Sequence, residues 1–190
     1  MRGHVCDMEA LMALCDRLGL TVIEDCAHTM GAEWRRALGR HGAIGCYSTQ
    51  TYKHMNSGEG GLIVTDDADL AARMVLLSGS LHAVRQTPRR ARGRGVPRLR
   101  LEVPNVSGRM DNLRAAVLRP QIALLRDRRA RWAALYRGLE AGLQGVPGLR
   151  LIAVPKARPI VGSSFQFLLP DWERRGSPPS WPPARRAGWS

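Results

Sequence analysis

Within the first 79 residues, two capped helical stretches alternate with three short apolar runs, and that alternation decides what the chain can fold into. Asp7 is placed to cap a helix in which Met8, Leu11, Met12, Cys15 and Leu18 recur at helical spacing, with Gly19 as its stop. Leu20-Thr-Val-Ile-Glu24 follows as a short strand, apolar enough to be expected under cover on both faces. Residues 43–47 and 61–65 read as two further strands. Asp66-Asp67 can then start a helix running through Leu70, Met74 and Leu77 to end near Gly79. Helix and strand in alternation define the α/β class, in which ligand sites form at strand ends.

Periodicity vanishes over residues 80–104, which read as a long loop. From Asp111 to Leu143 the pattern is that of a long helix with two apolar stripes. Leu113, Ala116, Val117, Ile122 and Leu125 form one; Trp132, Leu135, Tyr136, Leu139 and Leu143 form the other. Pro120 is expected to kink or break the helix in its first third. Gly145-Val-Pro-Gly148 closes it, and residues 149–153 and 164–169 read as strands of a second, smaller unit. Residues 173–190 carry a proline cluster and no period, and read as a disordered or aberrant tail.

A net charge of +13 raises the question of nucleic acid. Of 29 basic residues only Lys53 and Lys156 are lysine, and the densest run, residues 85–100, has seven arginines and no aromatic to stack on a base. Charge without a recognition motif or stacking platform argues against a nucleic-acid partner. The apolar runs are too short to cross a bilayer and no signal peptide is evident, so no membrane role and a cytoplasmic location are expected. Cys6, Cys15, Cys26 and Cys46 form no CxxC and no metal-like pairing with histidine, and read as buried or free thiols in a reducing compartment. His4, His41, His54 and His82 show no metal-ligand spacing and read as loop or surface residues.

The chemistry concentrates in two places. Ile23-Glu24-Asp25 ends a strand on carboxylates, and Ser48-Thr-Gln-Thr-Tyr-Lys53 leads from a second strand into Asn-Ser-Gly58-Glu-Gly-Gly61. An acid at a strand end and a lysine before a glycine-rich turn are what a pyridoxal phosphate site needs. The carboxylate keeps the pyridine nitrogen protonated, and the lysine carries the cofactor as a Schiff base and moves protons. The glycines permit a tight turn and close backbone approach. Lacking the lysine and Ser/Thr of a P-loop, the run excludes a nucleoside triphosphate site. Blander readings exist: Asp25 could cap the next turn, Lys53 could face solvent, and His28 could be a structural hydrogen-bonding residue.

Taken in order, Glu24-Asp25-Cys-Ala-His28, Gly42-Ala-Ile-Gly45-Cys-Tyr-Ser48 and Tyr52-Lys53-His-Met-Asn-Ser-Gly-Glu-Gly-Gly61 resemble the DegT/StrS-type sugar aminotransferases, fold type I enzymes that use pyridoxal phosphate. Pro104-Asn105-Val-Ser-Gly-Arg109, followed by Gln121, resembles the family's Asn-x-Arg segment leading into its long helix. Ser163-Ser-Phe-Gln-Phe167 is similar to the entry to its small domain. The resemblance implies Lys53 as the Schiff-base lysine and Asp25 as partner of the pyridine nitrogen. It implies His28, where the family has glutamine or histidine, against the ring or its 3-hydroxyl, and Ser48 on the phosphate. Asn105 would reach the phosphate of the neighbouring subunit's cofactor in a homodimer.

The same resemblance implies an α/β chain divided into four parts. Residues 1–110 would be the C-terminal part of a fold type I large domain, 111–145 a long connecting helix, 146–172 an incomplete small α+β domain, and 173–190 the tail. A fold type I enzyme carries roughly as much chain again before the segment at Met1, so an internal fragment is expected, binding the cofactor weakly or not at all. The implied reaction moves an amino group from glutamate or glutamine to a keto-sugar or keto-cyclitol. The alternative is a catalytically silent relative with only a dimerising or structural role. Family members that dehydrate sugars have histidine in place of the lysine, and Lys53 argues against that option.

Overall fold

The computed structural model describes residues 3–34, 36–79, 104, 106–153 and 160–170. The loop expected at 80–104 (save its last residue) and the tail lie outside the described residues. Helix α1 spans Met8–Leu18, with Asp7 accepting the amide of Ala10 at its start and Gly19 in the left-handed conformation (φ 65°) at its end. Both caps are local, so sequence alone identifies them. Helix α2, Ala68–Leu77, begins in the same way: Asp67 accepts the amides of Asp69 and Leu70.

Strand β1 (Ile23–Asp25) is followed by the hairpin β2 (Glu33–Trp34) and β3 (Arg36–Ala37), then by β4 (Ile44–Ser48) and β5 (Gly61–Val64). The main sheet has the order β1-β4-β5. β1 runs parallel to β4, with Asp25 opposite Cys46, and β5 returns antiparallel, with Gly61 opposite Ser48. The ends of β1 and β4 and the loop 49–60 therefore share one edge of the sheet.

β1 is not covered on both faces as its apolar run led one to expect. Ile23 is 62% exposed, whereas Glu24 is buried. The inversion has a cause. The Glu24 carboxylate accepts the backbone amides of Gly39, His41 and Gly42 at 2.7, 2.6 and 2.7 Å. Three charge-assisted bonds offset the desolvation of one buried carboxylate and fasten the 39–42 turn to the strand. Gly42 itself packs on β1's approach, where a Cβ would come within 2.4 Å of the Val22 carbonyl. The β2–β3 hairpin is an addition to the expected elements, since its two-residue strands carry no readable period.

Helix α3 spans Asn112–Leu143, capped by Asp111, and runs unbroken through Pro120. Tertiary contacts on both sides of the proline hold it. Leu118 is buried with Met30 and Met55, and Gln121 is bonded to the 49–60 loop. The two apolar stripes are only partly covered: Leu118, Ala133 and Tyr136 are buried, while Leu113, Ile122 and Leu135 are more than 60% exposed.

The main core joins Val5, Met8, Cys26, Ala32, Leu38 and Val161, with Trp34, Tyr47 and Trp132 packed against it. Val161 is fully buried. Its neighbour Gly162 (φ 69°) crosses α3 so closely that a Cβ would lie 3.0 Å from the Ala133 Cα and the Trp132 carbonyl. β6 (Arg150–Leu151) and β7 (Phe167–Leu168) form a small antiparallel pair. No described helix is long and apolar enough to cross a membrane.

Candidate active site

The loop between β4 and β5 is built on its own backbone. Thr49 donates to the Gly60 carbonyl (2.9 Å), Thr51 to Gly58 (2.8 Å), Ser57 to Thr49 (2.9 Å) and Lys53 to Gln50 (2.9 Å). The Thr49 side chain is fully buried, and its hydroxyl accepts from Ser57 at 3.3 Å. Gly60 (φ 135°) tolerates no side chain, because a Cβ would stand 2.8 Å from the Thr49 hydroxyl. From α3, Gln121 accepts the Asn56 amide and donates to the Asn56 carbonyl. A loop so cross-linked holds the lysine it carries in one place.

Lys53 is half-buried and its Nζ lies 2.9 Å from Nε2 of His28. An ammonium donating along this contact needs the Nε2 lone pair, which puts the imidazole proton on Nδ1. Asp25 ends β1 exposed, three residues before His28, and one carboxylate oxygen accepts the Ala27 amide at 3.0 Å. The turn-capping reading of Asp25 is thus realised, and among the described residues no hydrogen bond engages the carboxylate's second oxygen. Ser48 ends β4, its Oγ accepting the Gln50 amide at 3.3 Å. Lys53 and His28 are brought into contact, and Asp25 and Ser48 share their sheet edge. Asn105 lies outside the described residues. It stands four positions before Arg109; the residue two before is Ser107, held at φ 50°.

His54 corrects the surface reading given to it from sequence. It is 6% exposed, its Nε2 lies 2.7 Å from the Ser163 hydroxyl, and its ring is 5.4 Å from that of Trp132. Burial, followed by the nearby charges of His28 and Lys53, pulls its pKa down to about 4, so it is neutral beside the lysine. Its Nδ1 is buried with no hydrogen-bond partner among the described residues. No local signal marks it, because Ser163 is 109 residues away. His41 is likewise half-buried, and His82 lies outside the described residues. The four cysteines are free thiols, Cys6 exposed and Cys15 and Cys26 buried. Burial raises the Cys26 thiol to about 11, with Glu24 and Asp25 adding to the shift and a Thr29 hydrogen bond opposing it.

A cavity of about 280 Å³ opens between α1 and β1, lined by Val5, Met8, Leu11, Asp25, Cys26 and Leu38 among others. Asp25 reaches it and Lys53 does not. The donor set on the sheet edge nonetheless fits pyridoxal phosphate. An exposed carboxylate suits a protonated ring nitrogen, and a lysine held by an imidazole rather than by an acid can reach an aldehyde. The Ser48 hydroxyl suits a phosphate oxygen.

Comparison with known proteins bears on the family and the fold. The sequence pattern of the DegT/DnrJ/EryC1/StrS aminotransferase family matches residues 1–173. The L-glutamine:scyllo-inosose aminotransferase of Streptomyces griseus is 42% identical over 135 residues, 67% of this chain and 30% of that protein. The dTDP-3-amino-3,4,6-trideoxy-alpha-D-glucose transaminase of Streptomyces venezuelae is 34% identical over 161 residues, 83% of this chain and 39% of that protein. The crystal structure of S. venezuelae DesV in complex with a ketimine intermediate superposes with a TM-score of 0.72 at 32% identity, covering 88% of this chain and 42% of that one. AtS13 from Actinomadura melliaura gives 0.74 at 26% identity, covering 92% and 48%. The chain spans less than half the length of each of these relatives.

Proposed function

The chain belongs to the DegT/DnrJ/EryC1/StrS aminotransferase family, and on that premise we propose that it supplies the lysine-bearing part of the active site of a pyridoxal phosphate-dependent aminotransferase. Its reaction would move an amino group from an amino acid, glutamate or glutamine, to a keto-sugar or keto-cyclitol. The observation that carries this reading is the placement of Lys53, half-buried against His28 at the sheet edge where Asp25 ends β1. The name of the S. griseus relative, with L-glutamine as donor and a keto-cyclitol as acceptor, supports the cyclitol side of the substrate range.

When bound, pyridoxal phosphate supplies an electron sink for the carbon that gains or loses the amino group. Asp25 would hold the proton on the pyridine nitrogen, and its charge is favoured by that contact. His28 would lie against the ring or its 3-hydroxyl, and the Ser48 hydroxyl would bind the phosphate. Lys53 Nζ would form the covalent attachment and, once displaced by the amino donor, would move a proton at the substrate carbon. The same reading carries a large-domain portion over 1–110, a connecting helix over 111–145 and a small-domain portion over 146–172. It also carries a cytoplasmic homodimer in which Asn105 reaches the neighbouring cofactor's phosphate.

Only two lysines in the chain make the test clean. The purified chain is incubated with excess pyridoxal phosphate and reduced with borohydride, which converts even weak binding into a covalent mark. Peptide mass spectrometry should find the pyridoxyl group on Lys53 in preference to Lys156, and Lys53→Ala should lose it. Equal marking of both lysines would favour the alternative, a silent relative with a structural or dimerising role.

A further inference from the structure

Resting on the reading of Lys53 as the lysine that carries the cofactor, we propose that His54 is a positioning residue for it. Bonded to Ser163, it holds the lysine's backbone so that Nζ stays at the sheet edge. The two sides of Lys53 are held unequally: Tyr52, before it, is 89% exposed, whereas His54, after it, is 6% exposed. The main chain of residues 49–53 is tied to its own loop, Thr49 to Gly60, Thr51 to Gly58 and Lys53 to Gln50. Apart from the Nζ contact with His28, the first anchor outside the loop that the chain meets after Tyr52 is the His54 side chain. Its Nε2 lies 2.7 Å from the Ser163 hydroxyl, and its ring lies 5.4 Å from that of Trp132 on α3.

Ser163 is a firm post because of the two residues before it. Val161 is fully buried in the main core, and Gly162 crosses α3 closely at Trp132 and Ala133. While both are seated Ser163 cannot slide along the helix, so its hydroxyl is a fixed point 109 residues from the histidine. Beyond His54, Met55 is buried with Met30 and Leu118, and Asn56 is bonded to Gln121. Those two fix where the loop meets α3; of the three, only His54 adjoins the lysine. A productive site holds its reacting groups to about 0.5 Å and 10–20°, and a misplacement of about 1 Å can cost about 10²-fold in rate. A change of backbone angle at residues 53 and 54 is carried along the flexible four-carbon lysine stem, so loosening there is felt at Nζ.

The measurement uses the full chain and begins without cofactor. Because Nζ lies 2.9 Å from His28 Nε2, the ¹⁵N resonance of that nitrogen reports where Nζ is, and Lys53→Ala gives its value when the contact is gone. Ser163 is exposed, so Ser163→Ala removes the anchor without emptying the core. It should move the His28 resonance towards the Lys53→Ala value. Leu76→Val, a change at a buried position of α2 outside the clusters around Val5 and Met30, should lower stability and leave the resonance where it is. An unmoved resonance in Ser163→Ala, or an equal movement in Leu76→Val, overturns the proposal. Borohydride trapping on the same proteins gives a second decision: the concentration of pyridoxal phosphate that marks half of Lys53 should rise at least about threefold in Ser163→Ala. An unchanged concentration overturns the proposal too. Failure to mark Lys53 in the native chain would sink the cofactor reading alone, and the resonance would still decide the role of His54.

Discussion

Asn56 and Gln121 face each other in a reciprocal pair: the Asn56 amide donates to Gln121 Oε1 at 3.1 Å, and Gln121 Nε2 donates back to the Asn56 carbonyl at 2.7 Å. One side chain of α3 thus satisfies both backbone groups of a residue three positions beyond Lys53. The long helix and the lysine loop are thereby a single mechanical unit.

Gln121→Ala should destabilise the chain by about 2 kcal/mol, since it removes both bonds to Asn56, along with one to the Val117 carbonyl, and leaves a part-buried amide and carbonyl unpaired. Amide hydrogen exchange at Asn56 should rise with it. Gln121→Glu should cost a similar amount at pH 7, because a carboxylate can accept from the amide but cannot donate to the carbonyl. A urea denaturation series over the three proteins checks this.

Glu24→Ala should be more damaging. Three backbone amides in the 39–42 turn would lose a charged acceptor, at a cost of about 3–5 kcal/mol. Loss of a cooperative urea transition at 25 °C is the expected result, whereas a substitution at neighbouring exposed Ile23 to Thr should be nearly silent.

His54 carries a pH dependence with a definite sign. Its folded pKa, drawn down by burial to about 4, lies below the unfolded value near 6.5, so the unfolded chain binds more protons between the two. Its share of stability is fully present above pH ~6.5 and is lost as pH falls towards 4, on the order of 2–3 kcal/mol in all. His54→Phe should flatten the slope of unfolding free energy against pH in that window. An unchanged slope would mean the imidazole is not buried neutral.

Thiol reactivity should follow burial. Cys6 is exposed, while Cys26 is 2% exposed with its pKa raised to about 11. Iodoacetamide at pH 8 should alkylate Cys6 in the native chain and leave Cys26 intact until denaturant is added. Peptide mapping over time distinguishes the two sites.

What could be read from the residues alone divides by range. Asp7, Gly19, Asp67 and Asp111 act within their own turns, so the helix limits follow from sequence. The strand run 20–24 placed β1 to within a few residues but misjudged its faces, because the partner of Glu24 is a turn 15 to 18 residues on. Asp25, Ser48 and Lys53 share one sheet edge because β1 and β4 pair in parallel. The contact of Lys53 with His28 and the burial of His54 under Trp132 and Ser163 depend on packing across the chain, for which no local pattern exists. Pro120 misled for the same reason: its cost of about 3 kcal/mol is intrinsic, and the contacts that offset it are tertiary.

Val161 gives the chain a schedule. It completes the cluster begun by Val5, and the two lie about 150 residues apart in synthesis order, so this core cannot close until residue 161 has left the ribosome. Until then Met8, Cys26 and Leu38 lack that neighbour, and the nascent chain presents them to whatever is nearby. A chaperone or an early-folding neighbour is most useful to this protein in that interval, before the glycine at 162 has crossed α3 and shut the core.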